Sequence, residues 1–343
     1  MHCSGCVGYE PGVRAMTGAP TVSGPPGEVA EVRRAVRGAL EAAGCVAGTP
    51  VLVACSGGAD SMALAEAAAH LGRIWPARAA VVDHGLQDGS AERAEATAAR
   101  LAGMGVEAEV LTVDVSGPGG MEAAARRARY AALRAARPTE DSPVLLGHTL
   151  DDQAETVLLG LGRGSGARSL AGMSPYQPPW LRPLLAIRRR TTRAACAAAG
   201  IEVWDDPHNV DPRFTRVRLR TEALPLLEEV LAGGVAEALA RTAEQLREDG
   251  TALDEWAAQA RAESTTDTGL DAKALAGCPA AVRRRVLRGW LLDAGVPELT
   301  DPQLRRADAL LDRWRGQGGI SLPGGLVLHR RHGRLMLEDR LRD

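Results

Sequence analysis

The sequence is short of several residues that would announce a function. It has one lysine, Lys273, against 40 arginines. That scarcity excludes a GxxxxGK[ST] phosphate loop and leaves a single candidate for Schiff-base or covalent-adenylate chemistry. Aromatic residues make up 3%, with Phe214 the only phenylalanine. A stacking platform for single-stranded nucleic acid is therefore not expected. Six cysteines are scattered apart from Cys3-Ser4-Gly5-Cys6. They do not form a disulfide framework, and that pair with His2 falls short of the four ligands of a structural zinc site. No stretch approaches ~18 uninterrupted apolar residues, and residues 1–27 lack an apolar segment behind a basic one. The expectation is a cytoplasmic protein with no membrane partner.

What is present is ordinary for a globular chain: 343 residues, 45% hydrophobic, 24% charged, formal net charge −2. The length suggests roughly two domains of ~150 residues. A balance this close to neutral does not advertise nucleic-acid binding, but a net value hides local patches.

Residues 1–27, rich in Gly, Pro and Ser without periodicity, are expected to be a disordered extension. Glu28–Ala43 has helical spacing, with Val29, Val32, Val36 and Leu40 on one face. Short apolar runs at 51–55, 79–83, 108–113 and 144–147 read as buried strands. Ala-rich helical stretches at 61–71, 91–103, 121–136 and 152–161 alternate with them. Strand and helix at this pitch predict an α/β fold with a doubly wound parallel sheet, whose ligands sit beyond the carboxyl ends of the strands. From about residue 177 the composition turns Pro/Arg-rich and then helical, and the chain closes on two short apolar runs around Pro323-Gly324-Gly325, which suggest a β-hairpin. The expected domains are residues 28–228, catalytic, and 229–343, smaller and mostly helical.

The strongest motif is the apolar strand Val51–Cys55 running into Ser56-Gly57-Gly58-Ala59-Asp60-Ser61, followed by a helix. Paired glycines let successive N–H groups converge on one point, and the helix N-terminus adds partial positive charge. The result is an anion cradle that needs no lysine. Asp60 beside a phosphate site makes sense if a cation is shared, and Mg²⁺ is the natural one. A plain strand-to-helix turn with an Asp cap is the alternative. A second motif is Gly147-His148-Thr149-Leu150-Asp151-Asp152-Gln153-Ala154-Glu155 at the end of the fourth strand. Asp152 and Glu155 are three apart on a helix, and a carboxylate pair with His148 nearby suits binding an ammonium group or taking its proton. The alternative is a well-charged helix start.

With its complete strand–SGGxDS–helix context, the first motif resembles the signature of the PP-loop ATP pyrophosphatases. Val82-Asp83-His84-Gly85-Leu86 resembles their VDHGLR segment. Further stretches narrow the family: Glu122–Tyr130 (ExxARxxRY), Arg163–Met173 (RGSGxxGLxGM), Arg182-Pro183-Leu184-Leu185, and Trp204–Asn209. These are similar to the tRNA(Ile)-lysidine synthetases. In two places the chain departs from the pattern. The family's RNxxR is Arg216-Val217-Arg218-Leu219-Arg220 here, without its Asn, and the glycine segment reads RSLAGM.

The resemblance implies use of ATP and Mg²⁺ to adenylate O2 of the wobble cytidine in tRNA(Ile) with a CAU anticodon. Free L-lysine then attacks C2, releasing AMP and giving lysidine. It assigns nucleotide binding to Ser56, Gly57, Gly58, Ala59, Asp60, Ser61 and His84, the metal to Asp60, and catalysis to Asp60, Arg126, His148, Asp152, Glu155 and Arg216. A homodimer is one admissible assembly. A PP-loop tRNA thiolase is the nearest alternative, and a non-catalytic nucleotide-binding α/β protein the alternative from another class. Residues 182–220 carry nine arginines and four acids, net +5. With Arg283, Arg284, Arg285 and Arg288, and with Arg330, Arg331 and Arg334, they are the expected phosphate-contacting clusters.

Overall fold

The computed structural model describes residues 25–118, 120–164 and 166–339, apart from the side chains of 208 and 209. The N-terminal extension before residue 25, its CxxC, and the His208 and Asn209 side chains lie outside the described residues. The described residues form two compact units, one of residues up to 145 with 190–204, the other of residues 146–189 with those from 205 on.

The first unit is built as the alternation predicts. Helix α1 (Gly27–Ala42) buries Val29, Val32, Val36 and Leu40, its single apolar stripe. Strand β1 (Val51–Cys55) is buried along its whole length, so it reads as a continuous apolar run with both faces covered. It is followed by α2 (Ala59–Leu71), β2 (Ala77–Asp83), α3 (Ser90–Gly103), β3 (Glu107–Thr112), α4 (Met121–Ala135) and β4 (Val144–Leu146). The strand order is β3-β2-β1-β4. β1 pairs with β2, and β2 with β3, in parallel register (Val51↔Ala77, Arg78↔Glu107). The chain winds outward from β1 to β3 and then returns to the other side of β1. The order therefore reverses beside β1, where such sheets open a ligand crevice.

The second unit begins with α5 (Leu150–Gly162), α6 (Ala167–Leu170) and the antiparallel pair β5 (Tyr176–Gln177) and β6 (Trp180–Leu181). After α7 (Arg189–Ala198), most of which belongs to the first unit, come α8 (Thr215–Arg218), a π-helical turn over Leu219–Ala223, and α9 (Leu224–Val230). Helix α10 (Val235–Ser264) runs unbroken for 30 residues. It passes through Gly250 without a break. Strands β7 (Thr265–Thr266) and β8 (Gly269–Asp271), helices α11 (Ala272–Ala276), α12 (Ala280–Asp293) and α13 (Asp301–Asp312), and strands β9 (Ile320–Ser321), β10 (Leu326–Arg331) and β11 (Arg334–Asp339) complete it. The two runs expected to pair around Pro323-Gly324-Gly325 are β9 and β10, and Gly333 splits the longer run so that β10 pairs again with β11, all within a five-stranded antiparallel sheet ordered β7-β8-β11-β10-β9. Leu270, Leu287, Leu328 and Leu335, all fully buried, join that sheet to the helices in one core.

Candidate active site

The phosphate turn is held by its own serines. Ser61 Oγ accepts from the Ser56 N–H at 3.1 Å and donates to the Gly58 carbonyl at 2.9 Å, closing the turn from inside. Gly57 has φ +83°, and a Cβ there would come within 2.8 Å of Thr97 Oγ1, so glycine is required twice over. Gly58 is different. Its φ of −76° suits any residue, and an added Cβ would meet nothing closer than 3.8 Å. Its bareness leaves the face of the turn open. The N-terminus of α2 has no side-chain cap, so its amides are free of intramolecular side-chain acceptors. The Trp204 N–H donates to the Gly57 carbonyl at 2.9 Å and fixes the loop from the side.

Asp60 stands in the first turn of α2, and the buried Thr192 hydroxyl donates to its Oδ1. Among the described residues no three His, Cys, Asp or Glu side chains converge as a protein-built metal cage. A lone carboxylate suits Mg²⁺, which keeps its waters and takes its other ligands from substrate phosphates. Asp60 is the residue that would hold it.

Beside the turn is a cavity of about 70 Å³ lined by Ser56, His84, Arg129 and Leu133 over the ends of β1 and β2. The buried Nδ1 of His84 has no hydrogen-bond partner among the described residues. The neighbouring Asp83 accepts from the Gly85 N–H at 3.0 Å, and that bond with one from Ser90 holds its carboxyl below the usual range. Burial, reinforced by the like charge of Arg126, pulls the Arg129 guanidinium below its ordinary value. A half-buried cation with no carboxylate partner among the described residues, facing a cavity next to the glycine turn, is poised for an anion. Sequence reading missed Arg129 in favour of Arg126. The structure places Arg126 on the exposed side of α4, stacked 4.8 Å from the Tyr130 ring centroid. The three-residue offset along one helix was the available signal.

In the second unit, α5 opens with a capping box: the Thr149 N–H and hydroxyl both donate to Asp152 Oδ2 at 2.8 Å, and the Asp152 N–H returns to Thr149. Asp152 therefore caps the helix as well as carrying charge. Burial opposes its ionisation, but Arg189, Thr149 and His148 outweigh that and hold its carboxyl below the ordinary 3.8. Glu155 is fully buried. Arg220 grips it with two bonds, Nε to Oε1 at 2.8 Å and a terminal nitrogen to Oε2 at 3.3 Å. Arg189 reaches Glu155 at 3.4 Å and Asp152 at 2.5 Å. Arg220 thus meets the carboxylates, whereas Arg216 is exposed on α8. Arg220 ends the RNxxR-like stretch, where the resemblance assigns the site role to Arg216, and Arg189 reads from the sequence only as one of the phosphate-contacting arginines.

Those basic clusters need correction. Arg182 is buried and donates to the Ser174 carbonyl, while Arg188 pairs with Asp151 and Glu237. Arg283 is 6% exposed and forms a two-point pair with Asp308. Arg284 joins the same carboxylate, Arg285 takes Asp254, and Arg288 takes the Leu299 carbonyl. Arg330 donates to the Leu310 carbonyl and packs over Trp314. Sequence clustering of like charge here marks internal pairing more than a free cationic face.

The cysteines speak to the thiol alternative. Burial pushes the Cys55 thiol up and the Cys196 thiol up to about 11, away from the thiolate that sulfur chemistry needs.

Comparison with known proteins agrees with both units' motifs. The PP-loop domain family matches residues 32–227, and the TilS substrate binding domain matches residues 270–336. The chain is 59% identical over 322 residues to the tRNA(Ile)-lysidine synthase of Rhodococcus opacus (strain B4), covering 92% of this chain and 97% of that one. It is 57% identical over 295 residues to the enzyme of that name from Mycobacterium bovis, covering 83% and 90%. Among solved structures, the U34-tRNA thiolase NcsA from Methanococcus maripaludis, described with its [4Fe-4S] cluster, aligns with TM-score 0.53 at 19% identity, over 64% of this chain and 80% of that one. That last likeness is one of fold alone.

Proposed function

Because the chain belongs to the tRNA(Ile)-lysidine synthase family of PP-loop tRNA-modifying ligases, we propose that it joins the amine of free L-lysine to C2 of the wobble cytidine in tRNA(Ile) bearing a CAU anticodon. ATP first adenylates the cytosine O2, releasing pyrophosphate, and the amine then displaces AMP. In this reading the Ser56–Ser61 turn and the α2 amides hold the triphosphate. Arg129 and His84 line the place for the rest of the nucleotide. Mg²⁺ held by Asp60 would neutralise phosphate charge. Asp152 and Glu155 receive the cationic amino acid, His148 stands by them for proton handling, and Arg126 and Arg216 are offered to the polyanionic substrate. Residues 28–228 carry the chemistry, residues 229–343 contact tRNA, and the reaction belongs to the cytoplasm.

The observation that carries the reading is the pairing in one chain of an open-faced, lysine-free phosphate turn with a fully buried glutamate three residues after a second carboxylate. The turn alone fits any PP-loop enzyme. The carboxylates ask for a cationic co-substrate, and the raised thiols of Cys55 and Cys196 count against sulfur transfer. The test is mass spectrometry of tRNA nucleosides after incubation with ATP, Mg²⁺ and isotope-labelled lysine. Labelled lysidine is expected only when all three are present. An unmodified cytidine, or a sulfur-bearing nucleoside with a sulfur donor, would overturn the reading.

A further inference from the structure

We propose that Arg189 is a built-in stand-in for the cation of the amino-acid substrate: its guanidinium occupies the ammonium slot between Asp152 and Glu155 and must swing out before lysine binds. The inference rests on the reading that these two carboxylates receive lysine.

Charge balance argues for it. Asp152, Glu155, Arg189 and Arg220 are in mutual contact, two anions and two cations. Within this half-buried quartet an entering ammonium would add a third cation to two anions unless one guanidinium withdraws, and the nearby Asp151, Glu228 and Glu237 are already shared by Arg188. The geometry selects which one. Arg220 holds Glu155 with two nearly parallel bonds, the strong fork-to-carboxylate arrangement. Arg189 reaches Glu155 at 3.4 Å and makes its shorter contact, 2.5 Å, to Asp152, a carboxylate that has other donors of its own. It is also the first residue of α7, where the helix dipole disfavours a cation. Its backbone is pinned, since the Arg189 N–H donates to Asp151 Oδ2 at 2.8 Å, so displacement falls on the side chain. Withdrawal orphans neither carboxylate. Asp152 keeps both Thr149 donors, and Glu155 keeps Arg220.

The consequence is a tax on affinity. If the slot is open in about one molecule in ten, the apparent lysine affinity is reduced about tenfold, and any cation too weak to evict Arg189 is refused. Arg189 is thus a specificity-determining residue for the amino acid. In the full-length protein, Arg189→Ala is expected to lower the lysine KM about tenfold with the ATP KM unchanged. Guanidinium chloride at millimolar concentration, checked against NaCl, should refill the vacated slot and raise the variant's lysine KM, while leaving the natural enzyme unaffected. Arg189→Gln keeps a hydrogen-bonding group without the charge and serves as the same test should the alanine variant not fold. A raised or unchanged lysine KM in a folded variant, or guanidinium that restores activity instead of competing, overturns the proposal and makes Arg189 a positioning residue. Failure of the underlying reading has another signature: Glu155→Gln would then alter the ATP KM and leave the lysine KM untouched.

Discussion

Glu155 brings the energetics of the site down to one side chain. It is fully buried, and replacing it with Gln keeps shape and hydrogen bonding while deleting the charge that Arg220 and Arg189 neutralise. Losing a charge-assisted contact to lysine should raise its KM roughly ten- to hundredfold, about 1.5–3 kcal/mol. Adenylated tRNA should then accumulate at low lysine and be chased to product at high lysine, as rapid-quench analysis of AMP-tRNA would show. Loss of adenylation with unchanged lysine dependence would assign the carboxylates to the ATP site. Asp152 supplies a separate, pH-dependent readout. Its native carboxyl lies below the ordinary 3.8, so its ionised form stabilises the fold in full at neutral pH. That contribution is lost as pH falls below about 3.8 toward the depressed native value. Thermal melts between pH 7 and pH 3 should fall more steeply at the acid end for the natural protein than for Asp152→Asn. Parallel curves would show that Arg189 and Thr149 contribute nothing through that charge.

Helix α5 shows how a motif that reads as chemistry is also architecture. Its Gln153 donates to the Met173 carbonyl at 2.9 Å and accepts from the Met173 N–H at 2.7 Å, tying the glycine-rich segment back to the helix that bears both carboxylates. Gly172 enters that contact with φ +61°, and a Cβ there would strike the Gln153 amide. Seven residues beyond Gln153, a Cβ on Gly160 would fall 2.3 Å from the Ser169 carbonyl oxygen. Two effects oppose each other in Gly160→Ala. Helix propensity favours alanine by about 1 kcal/mol, whereas forcing a methyl into a packed contact costs about 1–3 kcal/mol. A backbone carbonyl cannot rotate away, so the clash wins, and urea denaturation should show a loss of about 1–2 kcal/mol. Equal or greater stability would mean that α6 yields without penalty. At this scale the sequence was readable where periodicity is strong. The apolar runs and helical stretches read from residues 28–161 coincide with β1–β4 and α1–α5 to within a few residues. Strands β7 and β8, two and three residues long, left no period to read; β8 joins the terminal sheet by pairing with β11, and β7 by pairing with β8. The site divides the same way. Local motifs announced Ser56–Ser61 and Asp152–Glu155, but Arg220 lies 65 residues from Glu155, a pairing no local spacing encodes.

For the molecule as a whole, forty arginines are nearly balanced by acids, and among the described residues many of them pair with an anion or a carbonyl, so the question becomes which ones remain for tRNA. Arg283 answers for its cluster. Both members of its pair with Asp308 are more than nine-tenths buried, the pair makes two bonds, and the same guanidinium donates to the Cys278 carbonyl at 2.8 Å. Those bonds raise its guanidinium further above its ordinary value in spite of burial. Removing Arg283 leaves the buried Asp308 carboxylate with only the partly exposed Arg284, so the loss should approach from below the cost of a stranded buried charge, about 3–5 kcal/mol. A lost phosphate contact would leave folding intact and make the salt dependence of tRNA binding shallower by about one unit. The two accounts separate cleanly. Arg283→Ala should lower the unfolding free energy by a few kcal/mol in denaturant titration, seen as an earlier midpoint, and below that midpoint the slope of log K against log salt for tRNA should match the natural protein's. A variant of normal stability with a shallower slope would put Arg283 at the RNA surface and make its bond to Asp308 incidental.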